Sequence, residues 1–157
     1  MSILLRQVRV LDPGSGFHKK VVDIMIRDGR ITNISEDIKG KADRTVEGDK
    51  LHVAPGFFDL GTQGGEPGLE HREDWETLSA AALAGGYTGI ALFPNPKPAI
   101  DSKSGVSYIL QHSGKHGVSY FPIGALSKGA NGEQMAELYD MYSNGAVAFS
   151  DGRNTVH

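Results

Sequence analysis

Asp59, Gly61 and Gln63 fall at alternate positions in HVAPGFFDLGTQGGEPG, residues 52–68, a strand-like run that empties into a glycine-rich loop. Side chains in a strand repeat every second residue, so the three are expected on one face. The carboxyl ends of strands are where α/β enzymes place their chemistry, and such a face is where a catalytic metal would be held. The donors on offer are the Asp59 carboxylate and the Gln63 amide, with Glu66 beyond them and Asp151 near the end of the chain. Zinc prefers nitrogen and sulfur ligands, whereas carboxylates and carbonyls suit magnesium or calcium, which activate water less strongly.

Other residues offer weaker arrangements. His112 and His116 stand four apart on an expected helix, a spacing that can present both rings to one zinc ion, although a histidine near a helix carboxyl end is also explained by the dipole. His71 sits in the charged loop after the EPG tripeptide. Asn95 offers an acceptor and two donors, suited to a diamide or carbamoyl group, and Pro94-Asn95-Pro96 is equally a turn. Asp151 before Gly152 reads either as a ligand or as a turn former. GTQGG lacks the spacing of a phosphate-binding loop, and Ser150-Asp151-Gly152 lacks a nucleophile elbow.

The elements that must position these groups come in two kinds. Residues 2–54 carry short strands at SILLRQVRVL, VVDIMI, RITNI, RTVE and LHVA, with Asp28-Gly29 as a type I′ hairpin turn. This stretch reads as a small, antiparallel β-sandwich portion, too short to supply both layers itself. From residue 55 strands and helices alternate. Strands are expected at 57–62, 88–95, 118–126 and 146–151. Helices are expected over WETLSAAALA behind Asp74, SGVSYILQHSGKH behind Ser102, and GEQMAELYDMYS before Asn144-Gly145. Trp75, Phe57, Phe58, Phe93, Tyr120, Phe121 and Phe149 are most simply core. Four such strands make either an open doubly wound sheet or half of an eight-stranded barrel, and periodicity does not separate the two.

Composition excludes several classes. With no cysteine in 157 residues, disulfide scaffolds, thiol catalysis and thiolate metal sites are ruled out, which suits a cytoplasmic protein. A formal charge of -3 with scattered basic residues gives no footprint for nucleic acid. No run approaches the roughly 20 apolar residues of a membrane span, and Arg6 and Arg9 interrupt the apolar N-terminus. The 21 glycines exceed the usual ~7% but punctuate apolar runs as turns.

PGFFDLGTQGGEPG resembles the opening motif of the dihydroorotases, metal-dependent cyclic amidohydrolases with the pattern P-G-F-x-D-x-H-x-H-x-R-[DE]-P-G. Pro55, Gly56, Phe57, Asp59, Glu66, Pro67 and Gly68 match it. Gly61 and Gln63 stand where that family has two metal-binding histidines, and Gly65 where it has a substrate-binding arginine. ALAGGYTGI and FPNPKPAID resemble later family stretches, the second placing Asn95 on a substrate-binding asparagine. GAVAFSDG resembles a branch in which Asp151 would bridge metals, with Gly152 replacing a second aspartate.

The resemblance implies an α/β fold, the first half of a (β/α)8 TIM-type barrel over residues 55–157, preceded by the β-sandwich portion of residues 1–54. It implies a family reaction interconverting dihydroorotate and carbamoyl aspartate in pyrimidine biosynthesis, with zinc as the family's metal. For this chain it implies lost catalysis, no bound zinc, and a binding or scaffolding role. The expected partners are a missing C-terminal half or a second chain completing the barrel, and an active dihydroorotase or aspartate transcarbamoylase. The alternative is an active full-length amidohydrolase with ligands rebuilt around Asp151, Glu66 and residues in the missing half, Asp59 being a weaker candidate ligand. Because half a barrel leaves two unpaired edges, residues 1–157 are not expected to be a soluble monomer alone.

Overall fold

The computed structural model describes residues 1–156 and divides the chain into two compact units, Met1–Pro55 and Gly56–His157. In the first unit, β1 (Ser2–Val10), β2 (Val21–Arg27) and β3 (Arg30–Ser35) form an antiparallel meander. Asp28 and Gly29 turn between β2 and β3 with φ of 49° and 75°, the two positive values that a type I′ turn requires. The sheet is not antiparallel throughout, contrary to the expectation from strand spacing. β4 (Arg44–Val46) and β5 (His52–Val53) return to β1 and pair with it in parallel. The connection over 36–43 recrosses the sheet instead of hairpinning, and strand spacing carries no record of that choice.

A bulge in β1 between Leu5 and Val8, with Gln7 at φ 49°, shifts the alternation of side chains. Leu5, Val8 and Val10 then pack with Val22 and Ile24, while Leu4, Met25 and Ile38 form a separate cluster. The bulge also aims Gln7 at Asp23, which is fully buried. Its carboxylate accepts from Gln7 N (2.9 Å), Gln7 Nε2 (3.1 Å), Arg6 Nη1 (3.0 Å) and Ile38 N (3.1 Å). Burial alone would raise the Asp23 carboxyl, but these donors and the Arg6 charge outweigh it and hold the group below its ordinary range.

The second unit is a curled parallel sheet of β6 (Phe57–Thr62), β7 (Tyr87–Leu92), β8 (Ser119–Gly124) and β9 (Ala148–Phe149), in sequence order. α1 (Trp75–Ala84) starts at a capping box, Asp74 Oδ1 accepting from Thr77 N (2.8 Å) and Thr77 Oγ1 accepting from Asp74 N (3.1 Å). α2 (Lys103–His112) starts at Ser102, whose hydroxyl accepts from Gly105 N (3.4 Å). Trp75 and Leu78 of α1 and Val106 and Ile109 of α2 pack on Ile90, Leu92 and Tyr120, making one core on the helix-covered face of the sheet. By strand alternation Gly89 and Phe121 point the other way, and there Phe58 and Phe121 meet edge-on at 5.0 Å above Gly89.

Three expectations need correction. α2 ends at His112, so His116 lies in the following turn and the pair never shares a helical face. The third helix is confined to α3 (Leu138–Ser143), because the segment before it is used as an extended return: Lys128 N donates to Gln134 O (2.7 Å) and Ala136 N to Leu126 O (2.9 Å). Phe57 and Phe58, expected in the core, are 62% and 46% exposed, because β6 is an edge strand among the described residues.

Replacing Asp23 should show what it contributes. Asp23→Ala in the full-length protein is expected to cost about 3 kcal/mol, since it removes the acceptor of Gln7 N and Ile38 N and one partner each from Arg6 and Gln7 Nε2, which keep Ile38 O and Glu36 O. The depressed carboxyl makes this contribution complete above about pH 4 and progressively lost as pH falls through the folded-state value. Denaturant melts of both proteins at neutral and acid pH check this, with the gap between them expected to narrow in acid.

Candidate functional site

The carboxyl ends of β6 and β7 open into a cavity of about 200 Å³ whose walls include Gln63, Gly64, Gly65, Arg72, Glu73 and Asn95. It is where the sequence places chemistry. The residues singled out from the sequence reach it unequally.

Asp59 does not face it as a free ligand. The pairing of β6 with β7 shifts register between Asp59 and Thr62, which breaks the two-residue period on which a common face for Asp59, Gly61 and Gln63 rests. The Asp59 carboxylate turns back on its own strand, accepting from Thr62 Oγ1 (2.7 Å) and Gly61 N (2.9 Å). The Thr62 hydroxyl, with the Gly61 N–H, holds its carboxyl below the ordinary range.

Gly61 lies under Phe93. A Cβ at residue 61 would stand 2.6 Å from Phe93 Cε2 and 2.9 Å from Cζ, closer than carbon atoms approach. Phe93, read from the sequence as core, is instead half-buried on the cavity wall. Gln63 is exposed there. Gly65 is buried, and a Cβ on it would overlap the Glu73 carbonyl oxygen. No side chain, least of all an arginine, has a path out from position 65 without moving that backbone.

Glu66 and Asp151 are likewise engaged. Glu66 Oε1 accepts from Trp75 N (3.0 Å) at the start of α1, and Oε2 accepts from Tyr108 OH (3.1 Å) on α2. Asp151 is 2% exposed, with Oδ1 accepting from Ser127 N (3.0 Å) and Oδ2 from Ser127 Oγ (2.6 Å). Ser127 had no signal in the sequence, being an ordinary serine 24 residues upstream of its partner. Asn95 donates from Nδ2 to Asp151 O (3.4 Å), and its buried Oδ1 has no hydrogen-bond partner. That amide lies against Gly152 so closely that a Cβ there would collide with it.

The histidines lie elsewhere. His112 Nδ1 bonds Tyr108 O (2.9 Å), and its ring stacks on Trp75 at 5.2 Å and 16°. His71 is exposed in the loop. Among the described residues no three His, Asp or Glu side chains converge as a metal site would need.

A catalytic zinc does not fit this donor set. Glycine under an aromatic ring supplies no ligand, the amide of Gln63 is a poor replacement for imidazole, and the nearby carboxylates already accept from main-chain or hydroxyl donors. The cavity lining also includes Arg72, an exposed residue that nothing in the sequence singled out.

No family profile matches the chain. Curated relatives do. It is 42% identical over 152 residues to a dihydroorotase of Solibacter usitatus, covering 96% of this chain and 35% of that protein. It is 38% identical over 157 residues to a dihydroorotase of Syntrophotalea carbinolica, covering 99% and 37%. The chain thus spans little more than a third of the length of the relatives it matches, at their N-terminal portion. Among solved structures, an L-hydantoinase (dihydropyrimidinase) from Arthrobacter aurescens superposes with a TM-score of 0.74 at 24% identity, over 94% of this chain and 32% of that one. A dihydroorotase superposes at 0.62 and 15%, over 94% and 41%. These likenesses establish the fold.

The steric reading of the rim predicts a pattern of mutant stabilities in the full-length protein. Gly65→Ala is expected to cost about 2 kcal/mol or more, and Gly65→Arg no less. Gly61→His should be costly alone but substantially less so with Phe93→Ala, the two positions being coupled through one space. Denaturant melts of these four variants and of Phe93→Ala alone measure this; a neutral Gly65→Ala, or additive costs at 61 and 93, would contradict the packing described.

Proposed function

The chain corresponds in sequence to the N-terminal portion of the dihydroorotases, and from that premise we propose that it is part of a dihydroorotase-like protein of pyrimidine biosynthesis whose catalytic centre has been lost. It acts as a non-catalytic partner, with an active dihydroorotase or aspartate transcarbamoylase as the expected companion, in the cytoplasm. The observation that carries this reading is the ring of Phe93 over Gly61, which fills the position from which the first family histidine would project. Gln63 and Gly65 extend the loss to the second histidine and the arginine.

The partner reading draws support from the sheet edges. Phe57, Phe58 and Leu60 on β6 are 62%, 46% and 84% exposed. Near the opposite edge Val147, Tyr139 and Tyr142 are 54%, 80% and 67% exposed. Apolar side chains beside unpaired strands are what a further half of a barrel would cover, whether it is the remainder of a longer polypeptide or a second chain. The rival reading, a full-length amidohydrolase with a rebuilt metal site, draws on Asp151 and Glu66, with Asp59 as a weaker candidate, together with residues of the missing half. It has less support, since each of these three carboxylates already accepts two hydrogen bonds.

The test is dihydroorotate hydrolysis by the full-length protein with added zinc. No turnover is expected, either as it stands or after Gly61→His and Gln63→His. Turnover by the unmodified protein would overturn the non-catalytic reading.

A further inference from the structure

Two asparagines are followed by glycine, in Asn131-Gly132 and Asn144-Gly145. In such a pair the glycine nitrogen, shielded by no side chain, attacks the asparagine side-chain carbonyl once it has lost its proton. A bond forms from that nitrogen to Cγ, ammonia leaves, and a five-membered succinimide results. Water then hydrolyses one of its two C–N bonds, giving aspartate or isoaspartate. Asn33, Asn95 and Asn154 precede Ile, Pro and Thr, whose nitrogen is crowded or, in proline, carries no hydrogen.

The backbone does not separate the two sites. Asn131 stands at φ -103° and ψ -2°, Asn144 at -96° and 2°. Both glycine N–H groups are engaged, Gly132 N donating to Ser127 Oγ (2.6 Å) and Gly145 N to Tyr142 O (3.0 Å). Each site must therefore open locally before the nitrogen reaches Cγ, and the side chains decide which opens more readily. Asn144, half-buried at the end of α3, donates from Nδ2 to Lys103 O (3.1 Å) and Ser107 Oγ (2.8 Å), which fastens α3 to α2. Asn131 is exposed, and the bond its carboxamide makes among the described residues is Oδ1 accepting from Glu133 N (3.2 Å) inside its own turn. Ala130 before it is held at φ 53°, a left-handed conformation that its Cβ disfavours and that opening relieves.

We propose that Asn131, and not Asn144, deamidates spontaneously in the folded protein. The inference is independent of whether the centre is catalytic. Its consequence reaches Asp151. Isoaspartate lengthens the main chain by one methylene between residues 131 and 132, which draws Gly132 N away from Ser127 Oγ, the hydroxyl that also donates to Asp151 Oδ2 (2.6 Å).

Trypsin cutting after Lys128 and Arg153 releases both sites on one peptide, residues 129–153, so their rates are compared within the same molecules. The full-length protein is incubated folded and in urea at mildly alkaline pH and digested at intervals. Fragment ions locate the amide-to-acid mass gain, and an unincubated sample corrects for conversion during digestion. In the folded protein Asn131 should convert about tenfold or more faster than Asn144, which has two further hydrogen bonds to break. In urea the two rates should come together. Ser107→Ala should speed conversion at Asn144 and leave Asn131 unchanged, and Asn131→Gln should remove the faster conversion. The proposal is overturned if Asn131 keeps its amide in the folded protein over the time that converts it in urea, if Asn144 converts as fast while folded, or if Ser107→Ala leaves the rate at Asn144 as in the parent.

Discussion

The loop after β6 passes so close to the start of α1 that the Glu73 carbonyl oxygen occupies the space a side chain at residue 65 would need. Most of what distinguishes this site follows from that approach. It fixes the course of residues 63–68, and Glu66 secures the same loop from its other side by bonding Trp75 N and Tyr108 OH. A second close contact ties this loop to the one after β7, where Lys97 N donates to Pro67 O (3.1 Å) and a Cβ on Gly68 would overlap the Lys97 carbonyl oxygen. The rim is therefore held by main chain packed on main chain, an arrangement that admits only glycine at the contact points.

The same economy governs the carboxylates. Asp59, Glu66 and Asp151 all lie around the carboxyl end of the sheet, and each accepts from donors that would otherwise lack a partner at strand ends and helix starts. A carboxylate with both oxygens engaged in this way stabilises the loops it joins. Using it as a metal ligand would release those donors, so the scaffold and a rebuilt centre compete for the same oxygens.

Much of both units was legible in the sequence because local chemistry decides it. The alternation of strand and helix, Asp74 and Ser102 as caps, and the Asp28-Gly29 turn each depend on residues next to one another. The features that escaped depend on partners distant in sequence. Parallel return of β4 and β5 to β1 requires a crossing that spacing does not encode. The shortened third helix reflects main-chain bonds back to residues 126 and 128. The common face of Asp59, Gly61 and Gln63 failed at a register shift, and Arg72 enters the cavity from a loop that reads simply as charged. At Gly61 and Gly65 the sequence shows only glycine, and the structure shows what a side chain there would meet, the Phe93 ring and the Glu73 carbonyl oxygen.

If loop packing stands at this centre in place of metal binding, as proposed above, the zinc that the protein retains reads it out. The full-length protein should be loaded with zinc, dialysed and measured by atomic emission beside its Asp151→Ala variant. Well under one equivalent of zinc is expected in both. One equivalent that survives dialysis in the parent and disappears in Asp151→Ala would contradict it.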